Sequence, residues 1–232
     1  MSDANPAAGE SGFAPLSGLP GIRAVFIPRL HGIDVETNRE TALARLAPAH
    51  ADLLARRGFK PGSLATAEQI HGGEVAIVRE PRVHAGVDAL ATNVTGLTLG
   101  IYVADCAAVY MADRNGRAIA LAHSGRAGTA ANITGRTIDL LHSEFGVDPA
   151  DLVVQISPCI RPPLYETDFA AEIAAQARAA GVRDVRDEGI CTGREVDRYY
   201  SYRVERGRTG RCLLYTSPSP RDLSTSRMPS SA

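Results

Sequence analysis

At 232 residues, 44% hydrophobic and 22% charged, the chain suits a soluble globular protein with one sizeable core or two small ones. A net charge of −1 removes the electrostatic basis for binding nucleic acid or an anionic membrane surface, and no apolar run approaches the roughly 18 residues of a spanning helix. The four cysteines (Cys106, Cys159, Cys191, Cys212) form neither a CxxC pair nor a dense framework; with no export signal they read as reduced thiols in a cytoplasmic protein.

Residues 1–20 are small, polar and rich in Pro and Gly, without a basic start or an apolar h-region, and read as a disordered lead. Residues 21–28 carry β-branched and apolar side chains and predict a first strand, with Arg29 following at its end. Residues 34–57 predict a helix, with Leu43, Leu46, Leu53 and Leu54 roughly on one face and Pro48 kinking or splitting it. After a turn-rich connector, residues 65–69 and 74–78 predict short strands on either side of a His71-Gly72-Gly73 turn.

Asp88-Ala89-Leu90-Ala91-Thr92 opens a central block. Residues 97–103 are apolar and β-rich, a strand buried on both faces, and residues 107–113 continue past Cys106. Asn115-Gly116 is a hairpin signal, so residues 117–122 return antiparallel and bring His123 to the same end of the sheet as Cys106. Gly125 and Gly128 precede a predicted helix over 129–145, with Ile133, Ile138, Leu140 and Leu141 as its apolar positions. Asp148-Pro149 breaks the chain before a core strand at 152–156. Pro158 to Pro163 reads as a rigid loop, and residues 168–180 as an Ala-rich helix capped by Asp168 and stopped by Gly181. Cys191-Thr192 and Tyr199-Tyr200-Ser201-Tyr202-Arg203 fall in the last compact segment. Residues 213–232 hold six Ser and three Pro with no period, a disordered composition that also resembles translated adapter or assembly sequence trailing some environmental reading frames. On that reading 212–232 stands outside the fold and a final strand is missing.

Cys106 and His123, each at the end of a buried strand, and His71 in a glycine turn are donors that zinc accepts. Three protein ligands and an open position make a catalytic site. A structural site would want a fourth ligand; Cys159 or Cys191 could supply one, though no spacing favours either. The competing reading is a buried structural cysteine and two polar turn histidines. Copper chemistry of the laccase kind is disfavoured: none of the six histidines pairs as HxH, and strand alternation turns Met111 away from Cys106. The zinc nucleobase-deaminase signature is absent as well, since Glu74 lies one place too far from His71 and there is no PCxxC.

Gln69-Ile70-His71-Gly72, Asp88-Ala89 with Thr92, Ala104-Asp105-Cys106, Ala122-His123-Ser124-Gly125-x-x-Gly128, Pro158-Cys159-Ile160, Tyr165-Glu166, Cys191-Thr192, Ser201-Tyr202-Arg203 and Thr209-Gly210-Arg211 occur in that order. This ordered set, from about residue 21 to 211, resembles the purine nucleoside phosphorylase family formerly called polyphenol oxidase or laccase-domain proteins, which includes the peptidoglycan editing factor (YfiH-like) proteins. The resemblance implies a single α+β domain with mixed β-sheets flanked by helices. It implies a zinc held by His71, Cys106 and His123. It also implies phosphate-dependent cleavage of purine nucleosides (adenosine, inosine, guanosine, methylthioadenosine) and deamination of adenosine. Most members carry Trp-Arg or Trp-Lys where this chain has Arg126-Ala127, which shifts or removes a basic side chain. The segment between Tyr165 and Cys191 is also shorter than in many members.

Phosphorolysis needs a cationic anchor, and Arg29, Arg126 and Arg203 are the substrate-binding candidates, each set against a solvated surface arginine. Asp105, beside the thiolate, could orient a ligand or act as a base, or merely cap a turn. Tyr102 and Tyr202 either stack on a purine or pack the core or rim, and Asp88 reads as a residue that hydrogen-bonds backbone in a turn, with contact to the site as the alternative. His31, His84 and His142 read as surface histidines. Two other functions compete with a zinc phosphorylase: a Cys-His hydrolase acting on an amide or cell-wall precursor, with Cys106 as nucleophile and His123 as base, and a zinc-stabilised binding domain without activity. The expected partners are purine nucleosides and phosphate, the expected state a monomer, with no nucleic acid and no membrane.

Overall fold

The computed structural model describes residues 13–218. In chain order these form β1 (Ile22–Ile27), α1 (Arg39–Arg56), β2 (Leu64–Ala67), β3 (Val75–Ile77), β4 (Val83–His84), β5 (Ala89–Thr92), β6 (Thr98–Val103), β7 (Ala107–Asp113) and β8 (Ile119–Ser124). Then follow α2 (Arg126–Ala130), α3 (Ile133–Phe145), a 3-10 turn (Pro149–Asp151), β9 (Leu152–Ile156), α4 (Phe169–Ala179), β10 (Asp184–Asp187) and β11 (Cys212–Pro218).

Two mixed sheets result, one ordered β1-β11-β6-β2-β4, the other β10-β9-β7-β8-β5-β3. This is the expected α+β architecture, and the period-2 rule explains its layering. Along β7, Ala108, Tyr110 and Ala112 enter the core between the sheets with Leu99 and Ile101 of β6. Their neighbours Ala107, Val109 and Met111 face a second core with Ile133, Ile138 and Leu141 of α3 and Ile173 of α4. β7 and β8 are therefore buried on both faces along their whole length, which is why they read as continuous apolar runs. The Asn115-Gly116 turn joins them as expected, with Gly116 at φ +71°.

Several expectations are corrected. α1 starts at Arg39, because the Asn38 side chain caps it by accepting from the Thr41 N–H, and it runs unbroken through Pro48. The helix expected over 129–145 is two, since Asn132 adopts φ +54° and caps α3 by accepting from Gly135 N–H. His84 is buried rather than exposed. The lead is ordered at least from residue 13: Phe13 and Leu16 plug the inter-sheet core, with the Phe13 ring 5.5 Å from that of Phe26. Residues 1–12 lie outside the described residues. The segment set apart from Cys212 onward is, as far as Pro218, the strand between β1 and β6; its backbone pairs with both neighbours whatever its Ser and Pro content. Residues 219–232 lie outside the described residues. Among those described, no helix is long and apolar enough to cross a membrane, and none of the four cysteines is in a disulfide.

His50 on α1 is 2% exposed with neither ring nitrogen hydrogen-bonded. Burial lowers its pKa to about 4. It stays neutral when folded but gains a proton near pH 6.5 when unfolded, so stability is full above that pH and lost as pH falls toward 4. Urea midpoints should therefore drop by the equivalent of about 2 kcal/mol between pH 7 and pH 5, and His50→Leu should remove that part of the slope.

Candidate metal centre

The hairpin register places the site. Ala107 pairs with Ser124 and Ala108 with His123, so Cys106, one step beyond β7, falls opposite Gly125. A Cβ at Gly125 would lie 2.5 Å from the Cys106 sulfur, so that position admits glycine alone. His71 arrives from the loop between β2 and β3. The chain makes tight bends at this site: Gln69 (φ +65°), His71 (φ +65°) and Asp105 (φ +83°) all occupy the left-handed region. The ligand atoms of His71, Cys106 and His123 lie within 4.8 Å of one another, and the two imidazole rings are 4.8 Å apart at 78°.

Asp88, with no exposed surface, holds the group together. Its carboxylate accepts hydrogen bonds from the backbone N–H groups of Ile70 (3.2 Å), His71 (2.9 Å) and Gly72 (2.7 Å) and from His123 Nδ1 (2.8 Å). Its carbonyl accepts the His123 N–H at 2.7 Å. One side chain thus fixes the His71 loop and orients the His123 ring. With Nδ1 donating to Asp88, Nε2 is the nitrogen turned to the site, and it offers a lone pair there once the ring gives up its second proton. Burial alone would raise the Asp88 pKa, but the His123 and backbone hydrogen bonds outweigh it and hold the carboxyl below its usual range.

Burial would likewise raise the Cys106 pKa, yet the charge and hydrogen bonds of His123 and His71 bring it down. His123, which burial alone would keep neutral, is pushed up by the facing thiolate and by Asp88. The chain alone thus favours a thiolate against an imidazolium, and a metal would take the place of the shared proton.

The donor set fits zinc. At Zn–S about 2.3 Å and Zn–N about 2.0–2.1 Å, tetrahedral ligand atoms stand about 3.3–3.6 Å apart, which the side chains reach by closing about 1 Å. No fourth His, Cys, Asp or Glu joins the group among the described residues. Cys159 and Cys191 instead form a β-bridge with each other, and burial holds the Cys159 thiol well above its usual range. Met111 packs against the helices, as alternation required.

The three ligands sit in the wall of a cavity of about 790 Å³. Tyr165 and Phe169, edge to face at 5.7 Å, give it an apolar side, and Tyr202 stands half-exposed at its rim. Of the expected anchors, Arg126 and Arg203 line the cavity, and Arg203 is paired with Glu166 at 2.9 Å. Arg29 does not line it. It is paired with Glu205 at 2.7 Å and stacked 4.4 Å over Tyr200, because its strand end points toward the 199–205 segment. Asp105 lines the cavity, but its oxygens are taken: Thr192 Oγ1 donates to one at 2.8 Å and Arg203 N–H to the other at 2.7 Å. The Cys191-Thr192 and Ser201-Tyr202-Arg203 motifs therefore meet at one turn clamp.

Asp88 makes the backbone hydrogen bonds expected of it and touches the site through His123, whereas residue-level reading missed the roles of Gln69, Arg39 and Arg211. Gln69 mimics a strand partner for Tyr102, donating to its carbonyl at 2.6 Å and accepting its N–H at 2.9 Å.

Known proteins share this arrangement of fold and sequence. The family described as multi-copper polyphenol oxidoreductase laccase matches residues 28–179 and 165–217. A purine nucleoside phosphorylase of Streptomyces coelicolor is 30% identical over 210 residues, covering 78% of this chain and 81% of that protein. One of Deinococcus radiodurans is 31% identical over 194 residues, covering 72% and 74%. The crystal structure of YlmD from Geobacillus stearothermophilus superposes with a TM-score of 0.78 at 23% identity, covering 87% of this chain and 93% of YlmD.

Proposed function

Because the chain belongs to the multi-copper polyphenol oxidoreductase laccase family, and the relatives above bear the name purine nucleoside phosphorylase, we propose that it cleaves purine nucleosides with phosphate at a zinc-dependent site. The observation that carries the reading is the convergence of His71, Cys106 and His123 on a cavity that also holds arginines and an aromatic side. Zinc held by these three residues would supply Lewis acidity beside the reacting bond. In the reaction a phosphate oxygen bonds to ribose C1′ as the C1′–N9 bond breaks; the electron pair of that bond leaves with the purine, which takes up one proton from the phosphate or solvent, and ribose 1-phosphate forms. A pair of the cavity's guanidinium groups binds and orients the phosphate, and the Tyr165–Phe169 side with Tyr202 excludes water around the flat base. Adenosine deamination rests on the resemblance alone.

The test is elemental analysis for about one zinc per chain, together with inosine and phosphate as substrates. Hypoxanthine and ribose 1-phosphate should appear in equal amounts and only with phosphate. No hypoxanthine from zinc-replete protein would remove the reading.

One observation favours a second reading. Cys106, His123 and Asp88 form a thiol–imidazole–carboxylate line, the arrangement of a cysteine hydrolase. Alkylation of Cys106 in metal-free protein that still hydrolyses amides before alkylation, and not after, would favour it.

A further inference from the structure

Four arginines line the cavity, Arg39, Arg126, Arg203 and Arg211, and they are not equivalent. Arg203 is ion-paired with Glu166 and lies 4.9 Å over the Tyr165 ring. Arg126, at the start of α2, shares the field of the same carboxylate. Arg39 and Arg211 have no ion pair among the described residues. Among the described residues Arg211 donates to the carbonyls of Thr209 (3.1 Å) and Gly210 (2.8 Å) and lies 5.7 Å over the Tyr202 ring, and Arg39 donates to the carbonyl of Glu68 (3.3 Å).

Their backbones explain why both reach the cavity that holds the metal ligands. Cys212 pairs with Val103 in the β11–β6 ladder, so Arg211 stands beside the Ala104-Asp105-Cys106 turn. Arg39 holds the carbonyl of Glu68, which leads into the His71 loop. Two like charges are thus brought to the lining of one cavity, and the Asp105 carboxylate, whose charge reaches Arg211, is already hydrogen-bonded by Thr192 and Arg203. Burial, and after it the Arg39 charge, lower the Arg211 pKa below its ordinary range. Two guanidinium groups brought together with no ion-pair partner are an anion site, since a bound anionic oxygen relieves their repulsion and accepts from both forks.

We propose that Arg211 and Arg39 form the anion subsite that takes phosphate beside the metal ligands, while Arg126 and Arg203 remain engaged with Glu166 at the rim. The identity of the anion rests on the phosphorolytic reading; the subsite itself does not. It also reassigns the anchor from the residues that sequence reasoning favoured to a pair held in place by β11 and α1.

The test uses the full-length zinc-loaded protein and inorganic phosphate, with chloride at matched ionic strength as control, read by calorimetry and by thermal shift. Arg211→Gln and Arg39→Gln should each weaken phosphate binding by about tenfold or more, with Arg126→Gln within about twofold of wild type. Arg39 is exposed at the first position of α1, so its variant carries no burden on folding; Arg211→Lys, which keeps the charge but not the fork, covers the chance that Arg211→Gln misfolds. Loss confined to Arg126→Gln, equal loss in all three variants, or no phosphate binding above the chloride control would overturn the proposal. Phosphate binding that depends on Arg211 and Arg39, without cleavage of inosine, would support the subsite while removing the phosphorolytic function.

Discussion

Cys106→Ala is expected to abolish zinc binding and slow nucleoside cleavage by about a thousandfold or more, while the protein stays folded. The sulfur lies beyond the end of β7, and neither large core includes it: the cluster between the sheets and the cluster under α3 and α4 close without it. A zinc-stabilised domain would behave differently, since removing its ligand would unfold it. Circular dichroism and melting temperature on the variant, beside its metal content, separate the two. His71→Ala separates the zinc enzyme from the cysteine hydrolase. As a ligand, His71 should matter about as much as Cys106; in a Cys106–His123–Asp88 line it is a bystander. A His71→Ala protein that keeps most of its activity would sink the zinc reading.

The centre of the fold was readable because its physics is local and periodic. The β7–β8 hairpin announces itself by two apolar runs joined at Asn115-Gly116, and its register alone brings Cys106 and His123 together. What escaped was of another kind. A central strand such as β11 is recognised by backbone pairing with β1 and β6, so its composition says little. Arg29 and Arg211 both flank strands and differ only in which neighbour the register sets beside them: Glu205 for one, the Asp105–Cys106 turn for the other. The break before α3 depends on Asn132 entering a left-handed conformation that few residues other than glycine tolerate.

Asp88 is the clearest case of a long-range cause without a sequence period, and its replacement is the second large effect expected. Asp88→Ala leaves the part-buried N–H groups of Ile70, His71 and Gly72 and the buried ring N–H of His123 without their acceptor. A buried orphan costs about 1–3 kcal/mol, whereas water reaches the loop donors, so a stability loss of about 2 kcal/mol is expected, most of it from the His123 ring. Zinc affinity should fall about 10–100-fold, because the His123 ring loses the partner that sets its tautomer. Asp88→Asn should separate the two effects. Its amide oxygen still accepts from the loop while its NH₂ group confronts the remaining donors, so it should lose less stability than alanine but a similar share of zinc affinity. The carboxylate's folded pKa lies below its unfolded value, so its contribution is full at neutral pH and is lost as pH falls through the carboxylate range. Asp88→Asn should lack that acid-side loss. Urea midpoints from pH 7 to pH 4 and chelator competition for zinc measure both quantities. If Asp88→Ala keeps wild-type zinc affinity and stability, the His123 ring is held by Cys106 and the β8 backbone alone, and the carboxylate has no part in building the site.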